Sequence, residues 1–276
     1  MDYIEGLNPE QKAAVLSESK HIRVIAGAGS GKTRVLTSRL VHLVESRNYN
    51  PKRLCAITFT NKAANEMKDR LEDMLGGFSP IHVSTIHSLC VMIIRMEHEA
   101  LGLPRSFTVI DSNDQNQIMK EAYAKFDIQK QDVSTRDAIN YISNNKMDHV
   151  SVSEAYKLAG NNYFEKAKAK VYDYYQNRLK ELDSLDFDDL LLQVYYLLKK
   201  NKECRRRWQN RFDVICVDEF QDVDEVQYGI VQSLVGEDNE IYVVGDPDQT
   251  IYTWRGANVH FISNFDKMYP DAETIT

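Results

Sequence analysis

Hydrophobic and polar positions follow two different patterns along this chain. Five short apolar, β-branched runs read as buried strands: Ile22–Ile25, Leu54–Phe59, His82–Thr85, Val214–Val217 and Ile241–Val244. Segments at helical spacing, such as Arg34–Val44, lie between several of them. That alternation predicts an α/β fold, a parallel sheet with crossover helices on both faces. Each run also gives way to polar residues, at Gly27–Thr33, Thr60-Asn61-Lys62, Thr85 to His87, Asp218-Glu219 and Gly245-Asp246. In open parallel sheets ligands bind outside the carboxyl ends of the strands, so this rim is the expected site.

Between about Ser106 and Leu185 the strand pattern disappears. Ser112–Phe126, Thr135–Asn144, Val152–Ala159 and Phe164–Asp183 read as helices, with no strand of comparable quality among them. In the last of these Val171, Tyr174, Tyr175, Arg178 and Leu182 fall at helical spacing, which predicts a packing stripe. The organisation expected is a discontinuous α/β domain over residues 1–105 and 186–276, with an all-helical subdomain inserted over 106–185. The insertion accounts for the 186 residues separating Lys32 from Asp218.

Composition narrows the class. A hydrophobic fraction of 43% and a charged fraction of 27% over 276 residues are those of a globular protein with a full core. No apolar run approaches the ~20 residues of a membrane span, and the first twenty residues lack the basic start and apolar middle of a signal peptide. Cys55 and Cys216 sit inside strand runs, and Cys90 and Cys204 are isolated. They read as reduced core thiols of a cytoplasmic protein rather than as metal ligands or disulfides. The net charge of −7 argues against polyanion binding by the bulk surface, yet leaves room for a narrow basic or aromatic track.

The most informative segment is Ala26-Gly27-Ala28-Gly29-Ser30-Gly31-Lys32-Thr33, which follows a strand and opens a helix. Glycines there let successive backbone N–H groups converge on one anion-sized concavity, and the helix adds its positive end. Lys32 would reach the β- and γ-phosphates of a nucleoside triphosphate, and the Thr33 hydroxyl would complete a Mg²⁺ shell. The usual pattern has glycine where this chain has Ala26. Downstream, Asp218-Glu219 ends a strand: the first carboxylate suits Mg²⁺, the second suits orienting and deprotonating a water. Alone such a pair is commonly an exposed turn; with a phosphate loop upstream the catalytic reading prevails. Gln249, after a third strand, is placed to sense a γ-phosphate or to serve as a turn residue. Asn8 and Pro9 mark a helix start, and the Gln11 amide has the donor and acceptor that read an adenine edge.

Six motifs then occur in order: Leu7–Val15, Ala26–Thr33, Thr58–Ala64, Val83–Ser88, Val217–Asp222 and Val244–Ala257. Together they resemble the UvrD/PcrA/Rep group of superfamily-one DNA helicases, and the resemblance runs over nearly the whole chain. It implies a RecA-like phosphate-loop NTPase fold. It also implies nucleotide contacts from Gln11, the loop Ala26–Thr33 and Arg34, Mg²⁺ held by Thr33 and Asp218, Glu219 as catalytic base, and Gln249 as γ-phosphate sensor. For single-stranded DNA or a single-strand/duplex junction it implies Phe59, Asn61, Thr85, His87, Tyr252, Trp254 and Arg255. Aromatic faces that stack on any base, with an arginine for phosphate, support the last cluster on physical grounds. Family members usually carry Tyr where this chain has Phe220, which keeps the packing and loses a hydroxyl.

The family motor has a second RecA-like domain that contributes arginines to the γ-phosphate, and no arginine follows Arg255 here. The resemblance therefore implies an ATP-binding half, competent to hold ATP and Mg²⁺ but poor at hydrolysis by itself, of a 3′-to-5′ helicase. Two further readings share these motifs: the motor of a helicase–nuclease subunit, and a nucleotide-gated clamp that does not translocate.

Overall fold

A computed structural model describes residues 2–250 and 257–276. Helix α1 (Pro9–Leu16) starts with the predicted chemistry: the Asn8 side chain accepts the Gln11 N–H, the Gln11 side chain accepts the Asn8 N–H, and Pro9 occupies the first turn. Strand β1 (His21–Ile25) leads through the phosphate-loop segment into α2 (Lys32–Glu45). Then follow β2 (Leu54–Thr58), α3 (Asn61–Leu75), β3 (His82–Thr85) and α4 (Ile86–Met96).

The helical stretch contains β4 (Thr108–Val109), α5 (Ser112–Phe126), α6 (Thr135–Met147), α7 (Val152–Ala159), α8 (Tyr163–Glu181) and β5 (Ser184–Leu185). It is followed by α9 (Phe187–Lys200), α10 (Lys202–Arg211), β6 (Val214–Val217), α11 (Glu225–Leu234) and β7 (Glu240–Gly245). The chain closes with the single turns α12 (His260–Ser263) and α13 (Phe265–Met268) and the strand β8 (Glu273–Ile275).

The chain divides into two compact units, one running to Leu89 and resuming at Leu197, the other spanning Cys90–Tyr196. These borders fall inside α4 and α9, whereas the loss of strand pattern sets them at 105/106 and 185/186. A composition shift registers where strands stop; the compact unit also claims the helical turns that pack within it.

In the first unit six strands form one parallel sheet in the order β3-β2-β6-β7-β1-β8. The central strands are buried on both faces, which is why they read as continuous apolar runs rather than as alternating ones. Ile22, Val24, Ala56, Val83, Val214, Cys216, Tyr242 and Val244 share a core with Leu36 and Leu40 of α2 and Met67 and Leu71 of α3. The intervening residues Ile57, Ile215, Val217, Ile241 and Val243 are buried as well. All four cysteines are free and buried, as the strand pattern implied for two of them. Crossovers bring β6 and β7 between β1 and β2, and the register pairs Ile25 with Gly245 and Val217 with Val243. Three polar strand ends therefore stand side by side. Strand β8 was not visible as a pattern because it has three residues, two of them exposed.

In the second unit α8 packs against α5, α6 and α7 around Ile118, Met119, Ala138, Ile142, Val171, Tyr172 and Tyr175. The stripe on α8 differs from expectation: Leu182 lies just past the helix and is 44% exposed, while Leu179 takes the core position. Spacing alone could not place the helix end at Glu181, where the ladder stops. The unit also holds a two-stranded parallel ladder, Thr108 beside Ser184 and Val109 beside Leu185, too short to leave a sequence pattern. Among the described residues no helix is long and apolar enough to cross a membrane.

Candidate nucleotide site at the carboxyl rim of the sheet

The phosphate-loop segment leaves β1 while still tied to its neighbour, since the Ala26 N–H donates to the Gly245 carbonyl at 3.1 Å. Ser30 N–H closes back on the Gly27 carbonyl at 3.2 Å. Gly29 and Gly31 have φ of 70° and 75°, left-handed values that side-chain-bearing residues rarely adopt. A Cβ on Gly27 or Gly29 would meet nothing within 4 Å, so the loop borders open space. Helix α2 begins at Lys32 behind Gly31, which supplies no side-chain cap. First-turn N–H groups without a capping side chain, at the positive end of a helix, favour an anion. The Ser30 hydroxyl is buried in this loop without a partner among the described residues.

Of the predicted nucleotide contacts, Gln11 buttresses the loop and Arg34 is tied to the segment before α1. Gln11 Nε2 donates to the Ser30 carbonyl at 2.7 Å, and its Oε1 accepts the Asn8 N–H at 2.9 Å. A primary amide has a second N–H and a second lone pair, so these bonds leave Gln11 one donor and one acceptor. The exposed Arg34 guanidinium donates to the Glu5 carbonyl at 2.6 Å.

From the facing strand, the Asp218 N–H is still held by the Ile57 carbonyl at 2.9 Å, and the next residue turns sharply. Glu219 has φ 49° and ψ 43°, an uncommon conformation for glutamate, and its N–H donates to Asp218 Oδ1 at 2.8 Å. This turn swings Glu219 toward the phosphate loop: Lys32 Nζ lies 3.6 Å from Glu219 Oε2. Asp218 stays behind, 4% exposed. Burial, then the negative charge of Glu219, push its pKa up to about 6, against the opposing pull of the Glu219 N–H and Lys32.

Between these two strand ends lies the end of β7. Asp246 opens a 3₁₀ turn, Pro247–Gln249, by accepting the Asp248 N–H at 3.0 Å. Its carbonyl accepts the Gln249 N–H at 3.1 Å, which leaves the Gln249 side chain half-buried on the turn.

The rim continues past β6 onto β2 and β3, which end in register, Thr58 beside Thr85. Phe59 is half-buried just beyond β2, and Asn61 is exposed at the first position of α3. Thr85 is buried; its hydroxyl donates to Ser88 Oγ at 3.0 Å and accepts the Ser88 N–H at 3.2 Å, opening α4. His87 follows, half-buried in that first turn. Tyr252, Trp254 and Arg255 lie outside the described residues.

Comparison with known families matches residues 7–270 to the UvrD/REP helicase N-terminal domain. The chain belongs to that family. A probable DNA helicase II homologue of Mycoplasma capricolum is 45% identical over 99% of this chain and 38% of its own length. The ATP-dependent DNA helicase PcrA of Leuconostoc citreum is 42% identical over 98% of this chain and 36% of its own. PcrA of Staphylococcus aureus is 41% identical, with 99% and 37% covered. The chain thus spans less than two-fifths of the length of these relatives.

Within this UvrD/REP-family domain the structure brings Lys32, Asp218 and Glu219 to one rim and puts the Gln249 turn between their strands. One polar residue at that rim carried no role in the sequence reading. Gln221 is 1% exposed; its Nε2 donates to Glu219 Oε2 at 2.6 Å, and its Oε1 accepts the Asp246 N–H at 3.1 Å. It stands in the Val217–Asp222 motif, but nothing in its residue type distinguishes a buried tie from a surface amide.

Proposed function

We propose that this chain is the first motor domain of an ATP-dependent DNA helicase, one that binds a nucleoside triphosphate with Mg²⁺ and moves 3′ to 5′ on single-stranded DNA. The observation that carries the proposal is the approach of Lys32 to Glu219 across the end of β7, with Asp218 buried behind them. The loop N–H groups and Lys32 take the phosphates; Gln11 and Arg34 face the rest of the nucleotide. Asp218 suits a divalent cation: it is a buried carboxylate at the rim, and the Thr33 hydroxyl at the start of α2 would be a second ligand. When bound, the cation neutralises charge on the phosphates. Glu219 orients a water toward the γ-phosphate and accepts its proton, and Gln249 senses the phosphate from the β7 turn. Phe59, Asn61, Thr85 and His87 form the DNA half of the rim, with Thr85 acting by setting the start of α4, and Tyr252, Trp254 and Arg255 are the further DNA contacts.

The similarity to helicases more than twice this chain's length supports a second RecA-like domain that completes the site. Steady-state ATP hydrolysis with and without single-stranded DNA, measured on this chain and on the full-length gene product, tests this. The chain alone is expected to bind ATP and turn it over slowly, and the full-length protein to be strongly stimulated by DNA. Absence of triphosphate binding would remove the proposal. Full DNA-stimulated turnover by the chain alone would remove the need for a second domain.

A further inference from the structure

Gln221 occupies a position that no part of the functional reading above requires, yet it is among the most completely buried polar side chains at the rim. Both ends of its amide are used. Nε2 donates to Glu219 Oε2, the same oxygen that faces Lys32 at 3.6 Å, and Oε1 accepts the N–H of Asp246. Asp246 in turn holds the Pro247–Gln249 turn through its own carboxylate and carbonyl. One side chain therefore ties the end of β6 to the end of β7. The sheet makes room for it: a Cβ on Gly245 would lie 2.5 Å from Gln221 Oε1, so glycine is required there for close approach, although its φ is ordinary.

Glu219 needs such a tie. Its backbone is in the left-handed region and its side chain is 38% exposed, so without a fixed donor the carboxylate is free to turn. A base misplaced by about 1 Å can lower a rate about 10²-fold. We propose that Gln221, resting on the reading of Glu219 as the base, is a positioning residue for the hydrolytic step. It fixes the Glu219 carboxylate and links that carboxylate to the turn bearing Gln249, so that base and γ-phosphate sensor move as one unit.

Two variants in the full-length protein separate positioning from mere packing. Gln221→Met keeps length and removes the bonds to Glu219 and Asp246, together with a longer one from Nε2 to Asp222 Oδ2 at 3.5 Å. Gln221→Glu keeps shape and the acceptor for Asp246, but sets a carboxylate against Glu219. Both are expected to bind a non-hydrolysable ATP analogue within about twofold of the parent while kcat falls about 10²-fold, with Gln221→Glu at least as impaired as Gln221→Met. Gly245→Ala, which pushes the amide aside, is expected to lower kcat in the same sense.

A purely structural role predicts the reverse order, because Gln221→Glu preserves more of the packing; that order, or an unchanged kcat in either variant, overturns the proposal. Should Gln221→Met fail to fold, the Gln221→Glu comparison with its analogue affinity still decides. Lys32→Ala is the control for the underlying reading: if it binds the analogue as the parent does, the nucleotide site itself is misassigned, a failure distinct from that of Gln221.

Discussion

Two lysines in this chain face carboxylates, one in each compact unit, and they are held in opposite ways. At the sheet rim, the Lys32 side chain is 10% exposed and lies 3.6 Å from a glutamate that remains 38% exposed. In the helical unit, Lys146 lies 2.8 Å from Asp186 and 3.0 Å from Asp189, and its side chain is 2% exposed. Around Lys146 every group is answered. Asp186 and Asp189 accept each other's backbone N–H across the start of α9. The Tyr175 hydroxyl donates to Asp186 and itself accepts from Gln115. Burial alone would push the ammonium's pKa down, but the two aspartates overcome it and hold it above its usual range. The rim pair is long, part-exposed and built on a left-handed residue. On the proposed function, the loosely held pair is the one that must be exchanged for phosphate, and the sealed pair has only to persist.

The largest effect should come from removing the rim lysine. Lys32→Ala is expected to abolish triphosphate binding, because the loop loses its point charge on the phosphates. The stability cost should stay under about 1 kcal/mol, since a long, part-exposed pair contributes little. Analogue titration alongside urea unfolding reads both; a large stability loss would make the rim pair structural and erase the contrast. Glu219→Gln is expected to leave binding intact or tightened, since Lys32 is released, and to lower turnover by about 10²–10⁴-fold as a lost general base. Turnover within twofold of the parent would assign the base elsewhere.

Lys146→Ala tests the sealed member. Removing one partner of a buried ion pair leaves uncompensated charge, and about 3–5 kcal/mol of stability should be lost, read by denaturant unfolding. Nucleotide affinity of the molecules that remain folded is expected to be unchanged. A loss below about 1 kcal/mol would place Lys146 with surface pairs and end the comparison.

The same contrast explains what was legible in the sequence. The rim was readable because its chemistry demands residue types at fixed spacing: Gly29, Gly31 and Lys32 before a helix, and Asp218-Glu219 after a strand. The five main strands were readable because burial on both faces leaves continuous apolar runs. The Lys146 cluster was not readable, because its members are separated by about forty residues and carry no motif; tertiary packing alone makes them partners. Gln221 was hidden for a related reason, since a glutamine's burial depends on the absence of a side chain at Gly245, a residue on another strand. The two-residue ladders β4 and β5 are below the length at which any period can be counted.

The smallest expected effect sharpens the comparison at the sheet's amino end, where His82 opens β3. Its ring packs beside Phe212 and shares a hydrogen bond with Ser84 Oγ at 2.8 Å. Burial chiefly, and the nearby charges of Lys68 and Arg211, push its pKa down to about 4. The unfolded chain takes up this proton near pH 6.5, whereas the folded chain resists until about 4, so the unfolded state binds more protons in between. The contribution is therefore present above pH 6.5 and lost as pH falls toward 4. Between pH 7 and pH 5 it amounts to no more than about 2 kcal/mol, less to the extent that the ring is solvated. Urea unfolding of the parent and of His82→Gln at both pH values isolates it: the parent should lose more stability on acidification than the variant. Equal losses would mean that the ring is hydrated in solution, and that the amino end of the sheet is as open as its carboxyl rim.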